Sequence, residues 1–166
     1  MNVDVILQVF NRHKVAYLLI GGMNFLLRHK PMLTYDVDVW VEDTVENLSN
    51  CEKALADLNA EWGSSENDWG PVVNRKPGWL KSQPMFCLTS PHGAIDIFRT
   101  VKGIKGWSVC NERASVGTTA AGVSYRGLSD EDMLHAQYAL DEEDRHIERI
   151  QVLEKAVRKQ RNQNDR

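Results

Sequence analysis

Cysteine is scarce in this chain of 166 residues: Cys51, Cys87 and Cys110 are odd in number and far apart. No CxxC pair occurs, which argues against a zinc knuckle and a disulfide framework and leaves free buried thiols as the expectation. Long hydrophobic runs are lacking too. No apolar stretch approaches the ~18 residues of a membrane helix, so no membrane span is expected. The opening MNVDVILQVFNRHK lacks the basic start and apolar run of a secretory signal, and a cytoplasmic protein is expected. Positive charge is not in excess. Lys and Arg number 20 against 23 Asp and Glu, a formal net charge of −3, without the strongly basic footprint that grips long nucleic acid. The five histidines, His13, His29, His92, His135 and His146, show no metal-ligand spacing. No internal repeat is found.

What remains is the composition of a soluble globular protein, long enough for one ordinary domain with a real core. Val3, Ile6, Leu7 and Phe10 fall at helical spacing. Val15 to Ile20 is a compact apolar strand ended by Gly21-Gly22, and a helix from Met23 to Arg28 is stopped by Pro31. Asp36 to Val41 alternates as a half-buried strand. Thr44 caps a helix reaching about Asn59, with Glu46 in its first turn. The stretch from Glu61 to Pro84, rich in Gly and Pro, predicts a long irregular connection of the lid or binding type, with one short strand at Val72-Val73. Met85 to Thr89 and Ala94 to Phe98 flank Ser90-Pro91-His92-Gly93 as a hairpin. A short helix over Asn111 to Ala114 and a strand over Val123 to Arg126 follow. Two helices, Ser129 to Ala139 and Glu142 to Lys159, close the chain, the first opened by a Ser129–Asp132 capping pattern. The expected class is α+β: a small mixed sheet packed against helices, comprising a core over residues 1–127 and a helical extension of the same domain over 128–166.

The chemistry is expected where two weak signals meet. Aspartate is a poor strand residue, and Asp36 and Asp38 stack like charges ~7 Å apart on one strand face. Water or a shared cation makes that tolerable. A strand that ends in Gly21-Gly22 and runs into a helix allows close backbone approach to phosphate, and helix N-termini favour anions.

At YLLIGGMNFLLRHKPMLTYDVDVWV the chain resembles the DNA polymerase beta-type nucleotidyltransferase superfamily, in which GG follows a hydrophobic strand and Asp-x-Asp comes after it. GAIDIF matches the later strand that supplies a third carboxylate, Asp96. ERASVGTTAAGVSYRGLSDEDMLHAQYALDEEDRHIERIQVL resembles the end of the abortive-infection and toxin–antitoxin nucleotidyltransferases, through Leu128-Ser129 and Asp144. The resemblance implies the nucleotidyltransferase fold, with Asp36, Asp38 and Asp96 as catalytic metal ligands. It implies magnesium, with manganese as an alternative ion, and Gly21, Gly22, Asn24 and Thr34 as the nucleotide site. The implied partners are a nucleoside triphosphate such as ATP, an acceptor that is a protein, a transfer RNA or a small molecule, and an antitoxin or a second copy of the chain. Met32 stands where these relatives often carry Arg, and Gln137 where they often carry Lys; both changes remove positive charge. They are the basis of the alternative reading, a nucleotide-binding or partner-binding module that kept the fold.

Other residues divide between contact and packing. Arg99, Lys102 and Lys105 follow Asp96 and are either phosphate contacts or a solvated turn. His92 lies in the hairpin turn. Trp69 and Trp79 are expected to pack the long connection onto the body, and Trp40 to be structural although it shares the acidic strand face. The basic tail, Lys155 to Arg166, stabilises its own helix through the helix dipole.

Overall fold

The computed structural model describes residues 1–164; Asp165 and Arg166, the end of the basic tail, lie outside the described residues. Helix α1 (Val3–Arg12) buries Ile6, Leu7, Val9 and Phe10 and is capped by Asn2, whose side chain accepts from the Val5 N–H at 3.3 Å. Strand β1 (Tyr17–Leu19) is buried throughout, which is why its sequence reads as an unbroken apolar run rather than an alternating one. Helix α2 (Gly21–Arg28) begins at the glycines themselves, two residues earlier than expected.

Six strands form one mixed sheet in the order β5 (Met85–Leu88), β6 (Ala94–Phe98), β2 (Asp36–Val41), β1, β8 (Ser124–Gly127), β7 (Ser115–Thr118). Strand β2 runs antiparallel to β1 and parallel to β6, and β1 runs parallel to β8. The hairpin of β5 and β6 and the bounds of β2 are as the sequence predicts. Edge strand β7 is only half covered and carries no run of strand formers, so no pattern announced it.

The sheet separates two apolar cores. On one face Val37, Val39 and Val41 join Ile95 and Ile97 against α1 and α3 (Val45–Asp57). On the other, Leu18, Ile20 and Trp40 pack with Phe25, Leu128, Met133 and Leu153. Trp40 therefore shares a face with Asp36 and Asp38 yet is buried, its indole N–H donating to the Arg99 carbonyl at 3.3 Å. This second core is closed by α4 (Trp107–Glu112), α5 (Asp130–Tyr138) and α6 (Ile147–Asn164).

Three expectations need correction. The connection from Glu61 to Pro84 is not a free lid. Short strands β3 (Glu61–Trp62) and β4 (Gly70–Pro71) pair, while Val72–Asn74, where a strand was expected, is a 3₁₀ turn. Trp79 stacks on Trp62 at 5.5 Å and meets Phe86 edge-on, and the Glu52 carboxylate accepts from the Gly78 and Leu80 N–H groups. Buried aromatic area holds the segment down. The short helix lies at Trp107–Glu112, earlier than Asn111 to Ala114. The last helix does not run from Glu142: a 3₁₀ turn at Glu142–Asp144 is followed by a break, where Arg145 returns to the carbonyls of Leu140 and Tyr138 and the Gln137 Oε1 accepts from the His146 N–H. No helix of the described residues is long and apolar enough to cross a membrane.

Thr44 caps α3 as expected, its hydroxyl accepting from the Asn47 N–H at 3.2 Å. Asn47 itself is buried and ties α3 to the sheet, accepting from the Ala16 N–H and donating to the carbonyls of Ala16 and Glu42. Asn47→Ala strands all three backbone groups, and is expected to cost about 3 kcal/mol. A urea titration should show a lower midpoint with an unchanged slope; a loss below about 1 kcal/mol would contradict the role.

Candidate active site

The register between β2 and β6 sets the site. Asp38 lies directly across from Asp96, and Asp36 across from Ala94, at the spacing of adjacent strands, ~4.8 Å. The three aspartates are half-buried, and one carboxylate oxygen from each lies within 4.8 Å of the others. Thr34, in the loop before β2, donates from its hydroxyl to Asp36 at 3.3 Å and so braces that carboxylate. The Gly22 N–H lies close enough to the Asp38 carboxylate to favour its charged form. Cys87 stands opposite Asp96 on β5, close enough for its thiol to favour the charged form of that carboxylate. Cys87 is exposed, in contrast to the buried thiols expected; Cys51 and Cys110 are buried.

Crowding of negative charge perturbs these groups. Burial, then repulsion by Asp36 and Asp96, pushes Asp38 up to about 7, against the pull of Arg149 and the Gly22 N–H. Burial also raises Asp96, with Asp36 adding to the rise and Cys87 opposing it. Carboxylates so destabilised in their charged forms are ready to accept a cation.

Both glycines are dictated by close approach. Gly21 has φ +61°, and a Cβ there would come 2.0 Å from Asp38 Oδ2. A Cβ on Gly22 would come 2.8 Å from the Thr34 hydroxyl oxygen. The N-terminus of α2 thus abuts the acidic cluster, and its preceding residue, Ile20, offers no side-chain cap. Free N–H groups at the positive end of a helix form a seat for an anion.

A cavity of about 490 Å³ opens beside this turn. Gly21, Asp38 and Arg149 contribute to its lining, as do the apolar side chains of Phe98, Val101 and Met133. The size and mixed lining are those of small-molecule sites.

Two expected contacts fall elsewhere. Asn24 is fully buried; its amide nitrogen donates to the Leu128 carbonyl at 3.1 Å and so joins α2 to the start of α5. Arg99 forms a two-pronged pair with Asp43 at 3.0 Å and donates to the Lys81 and Gln83 carbonyls, a structural duty. Lys102 lines the cavity, Lys105 is exposed, and the His92 carbonyl accepts from the Asn2 N–H.

Arg149 is the residue the sequence reading missed. It lies in the first turn of α6, 9 % exposed, with its guanidinium carbon 5.7 Å from the centre of the Phe25 ring. One signal was available: Arg149 stands one turn before buried Leu153, a cation placed in an apolar stripe.

The raised pKa of Asp38 carries a pH dependence. Its folded value exceeds the unfolded one, so its contribution to stability is present below the usual carboxylate range and lost as pH rises through about 7. Without divalent ion at about pH 8, Asp38→Asn is expected to melt at least about 2 °C above the wild type, the gap closing near pH 5. Magnesium should raise the wild-type melting temperature and leave the variant's nearly unchanged. A variant that melts below the wild type at both pH values would overturn this account of the cluster.

No protein family is matched by the chain's sequence, and no curated protein matches it. A solved structure does share its fold: the lincosamide antibiotic adenylyltransferase LnuA in its lincomycin-bound form superposes with a TM-score of 0.58, covering 90% of this chain and 92% of that one at 19% sequence identity. The chain has the nucleotidyltransferase fold, an α+β arrangement of a mixed sheet packed against helices.

Proposed function

We propose that this protein transfers a nucleoside monophosphate from a nucleoside triphosphate to a hydroxyl acceptor. The observation that carries the reading is the convergence of Asp36, Asp38 and Asp96 within 4.8 Å beside an uncapped helix N-terminus. The donor set fits magnesium: all oxygen, and close enough to serve two ions ~4 Å apart. When bound, magnesium or manganese supplies the charge that stabilises the attacking and leaving oxygens of an in-line displacement.

The chain's own groups do the rest. Asp36, braced by Thr34, and Asp38 would hold the metal positions next to the phosphates. The backbone N–H groups of Gly21 and Gly22 receive the triphosphate. Asp96 lies on β6, across from Asp38, and the acceptor hydroxyl approaches it from the side away from the cavity that Gly21 and Asp38 line. There Asp96 would join the other two aspartates around the ion that orients the hydroxyl for attack on the α-phosphorus as pyrophosphate leaves. The cavity beside Gly21 takes the sugar and base, with Phe98 and Met133 offering apolar surface.

ATP as donor and a small hydroxylated molecule as acceptor are supported by the adenylyltransferase that shares the fold and is solved with lincomycin. A protein or RNA acceptor, the alternative that a toxin–antitoxin role requires, is separated by experiment. Purified protein, magnesium and each α-labelled triphosphate are combined with hydroxylated antibiotics, total RNA or lysate protein. Transfer of label to the small acceptor is expected, with a loss of at least about 100-fold in Asp36→Asn and Asp38→Asn. Triphosphate binding without transfer to any acceptor would instead establish a binding module.

A further inference from the structure

We propose that Arg149 is the cation that seats the triphosphate, an inference that rests on the nucleotidyl-transfer reading. Burying a guanidinium is costly unless its charge and N–H groups find partners. Arg149 is 9 % exposed, yet its nearest partners are the face of Phe25 and, at 3.8 Å, the Met32 sulfur. Neither is an anion. Among the described residues its Nε has no hydrogen-bond partner, and no salt bridge reaches it. It also stands in the first turn of α6, where the helix dipole disfavours a positive charge. Asp36 and Asp38 attract this cation without a hydrogen bond, but burial, the absence of a bonded anion and position still oppose it, and one ligand of opposite charge in contact answers all three.

The placement says which ligand. Arg149 lines the cavity that Gly21 and Asp38 also line. Its Nη2 lies 3.5 Å from the point a Cβ on Gly22 would occupy. A phosphate resting on the N–H groups of the Gly21-Gly22 turn is therefore within reach of the guanidinium. The planar fork of Arg matches phosphate oxygens in pairs, which a Lys does not. Of the other cations nearby, Lys30 pairs with Glu148 and Arg145 holds two carbonyls, while Lys102 lines the same cavity from an exposed position and is not aimed from beneath the glycine turn as Arg149 is. Arg149 also touches Met32, so a guanidinium arriving from α6 occupies the neighbourhood where the sequence carries no basic residue. The competing role is simple neutralisation of Asp36 and Asp38. Arg149 forms no hydrogen bond to either, and divalent ions would assume that role on binding.

Calorimetry on the full chain separates these roles. Arg149→Met keeps an apolar stem of similar length against Phe25 and Met32, and Arg149→Lys keeps the charge without the fork. The probes are magnesium–ATP, adenosine, and manganese alone followed by its spin resonance. Arg149→Met is expected to weaken magnesium–ATP binding by about 10- to 100-fold, with adenosine affinity unchanged and manganese held as well as or better than in the wild type. Arg149→Lys should fall between the two. Unchanged ATP affinity with tighter manganese would overturn the proposal in favour of carboxylate neutralisation. Parallel loss of ATP, adenosine and melting temperature would overturn it in favour of a structural role. A wild type that binds ATP but transfers no label defeats the transfer reading alone, whereas a wild type that binds no triphosphate defeats both.

Discussion

Three carboxylates held within 4.8 Å of one another repel, and the fold keeps them together through backbone pairing that side chains cannot undo. The parallel register of β2 on β6 places Asp38 opposite Asp96 and leaves Asp36 one step along the same face. Sliding that register by one residue would send the acidic face into the apolar core, where Val37, Val39 and Val41 now sit. The core thus enforces the repulsion. Burial first, and that repulsion second, raise Asp38 to about 7, and a divalent cation is the simplest relief.

The rest of the molecule is arranged around this cluster. Trp40 continues the same strand face into the second core, while Phe98 beside it is half-buried and lines the cavity. Gly21 and Gly22 are small because Asp38 and Thr34 lie where their side chains would be. Buried Asp130 receives Arg28 at 3.0 Å and His29 at 2.7 Å from the end of α2, with Gln160 of α6 at 2.9 Å. That knot fixes α2, α5 and α6 together. The glycine turn at one end of α2 and Arg149 on α6 are thereby held as one unit facing the carboxylates.

Much of this was legible in the sequence where local chemistry decides. Alternation defined β2 from Asp36 to Val41, Thr44 and Ser129 announced their helices, and Pro91-Gly93 marked the hairpin that carries Asp96. The aspartate cluster was legible as well, since two acids on a strand face demand a reason. What escaped depends on contacts between distant segments. The stretch after Glu61 looked irregular by composition; Trp79 packs it onto the body as expected, but its partners Trp62 and Phe86 were not foreseen, and Trp69, expected to do the same, is exposed. Asn24 looked available for a ligand because it follows the glycines, yet Leu128, over a hundred positions away, claims its amide. Arg149 escaped for the same reason. Nothing in its own helix indicates that α6 folds back over the glycine turn.

The central claim, that Asp36, Asp38 and Asp96 together hold a divalent ion against a triphosphate, is tested most directly by a crystal structure with manganese and a non-hydrolysable ATP analogue. The expected result is an anomalous peak coordinated by all three carboxylates, with the analogue's phosphates completing its shell at the Gly21-Gly22 turn. Manganese bound elsewhere, or an analogue whose phosphates lie away from the aspartates, would contradict it.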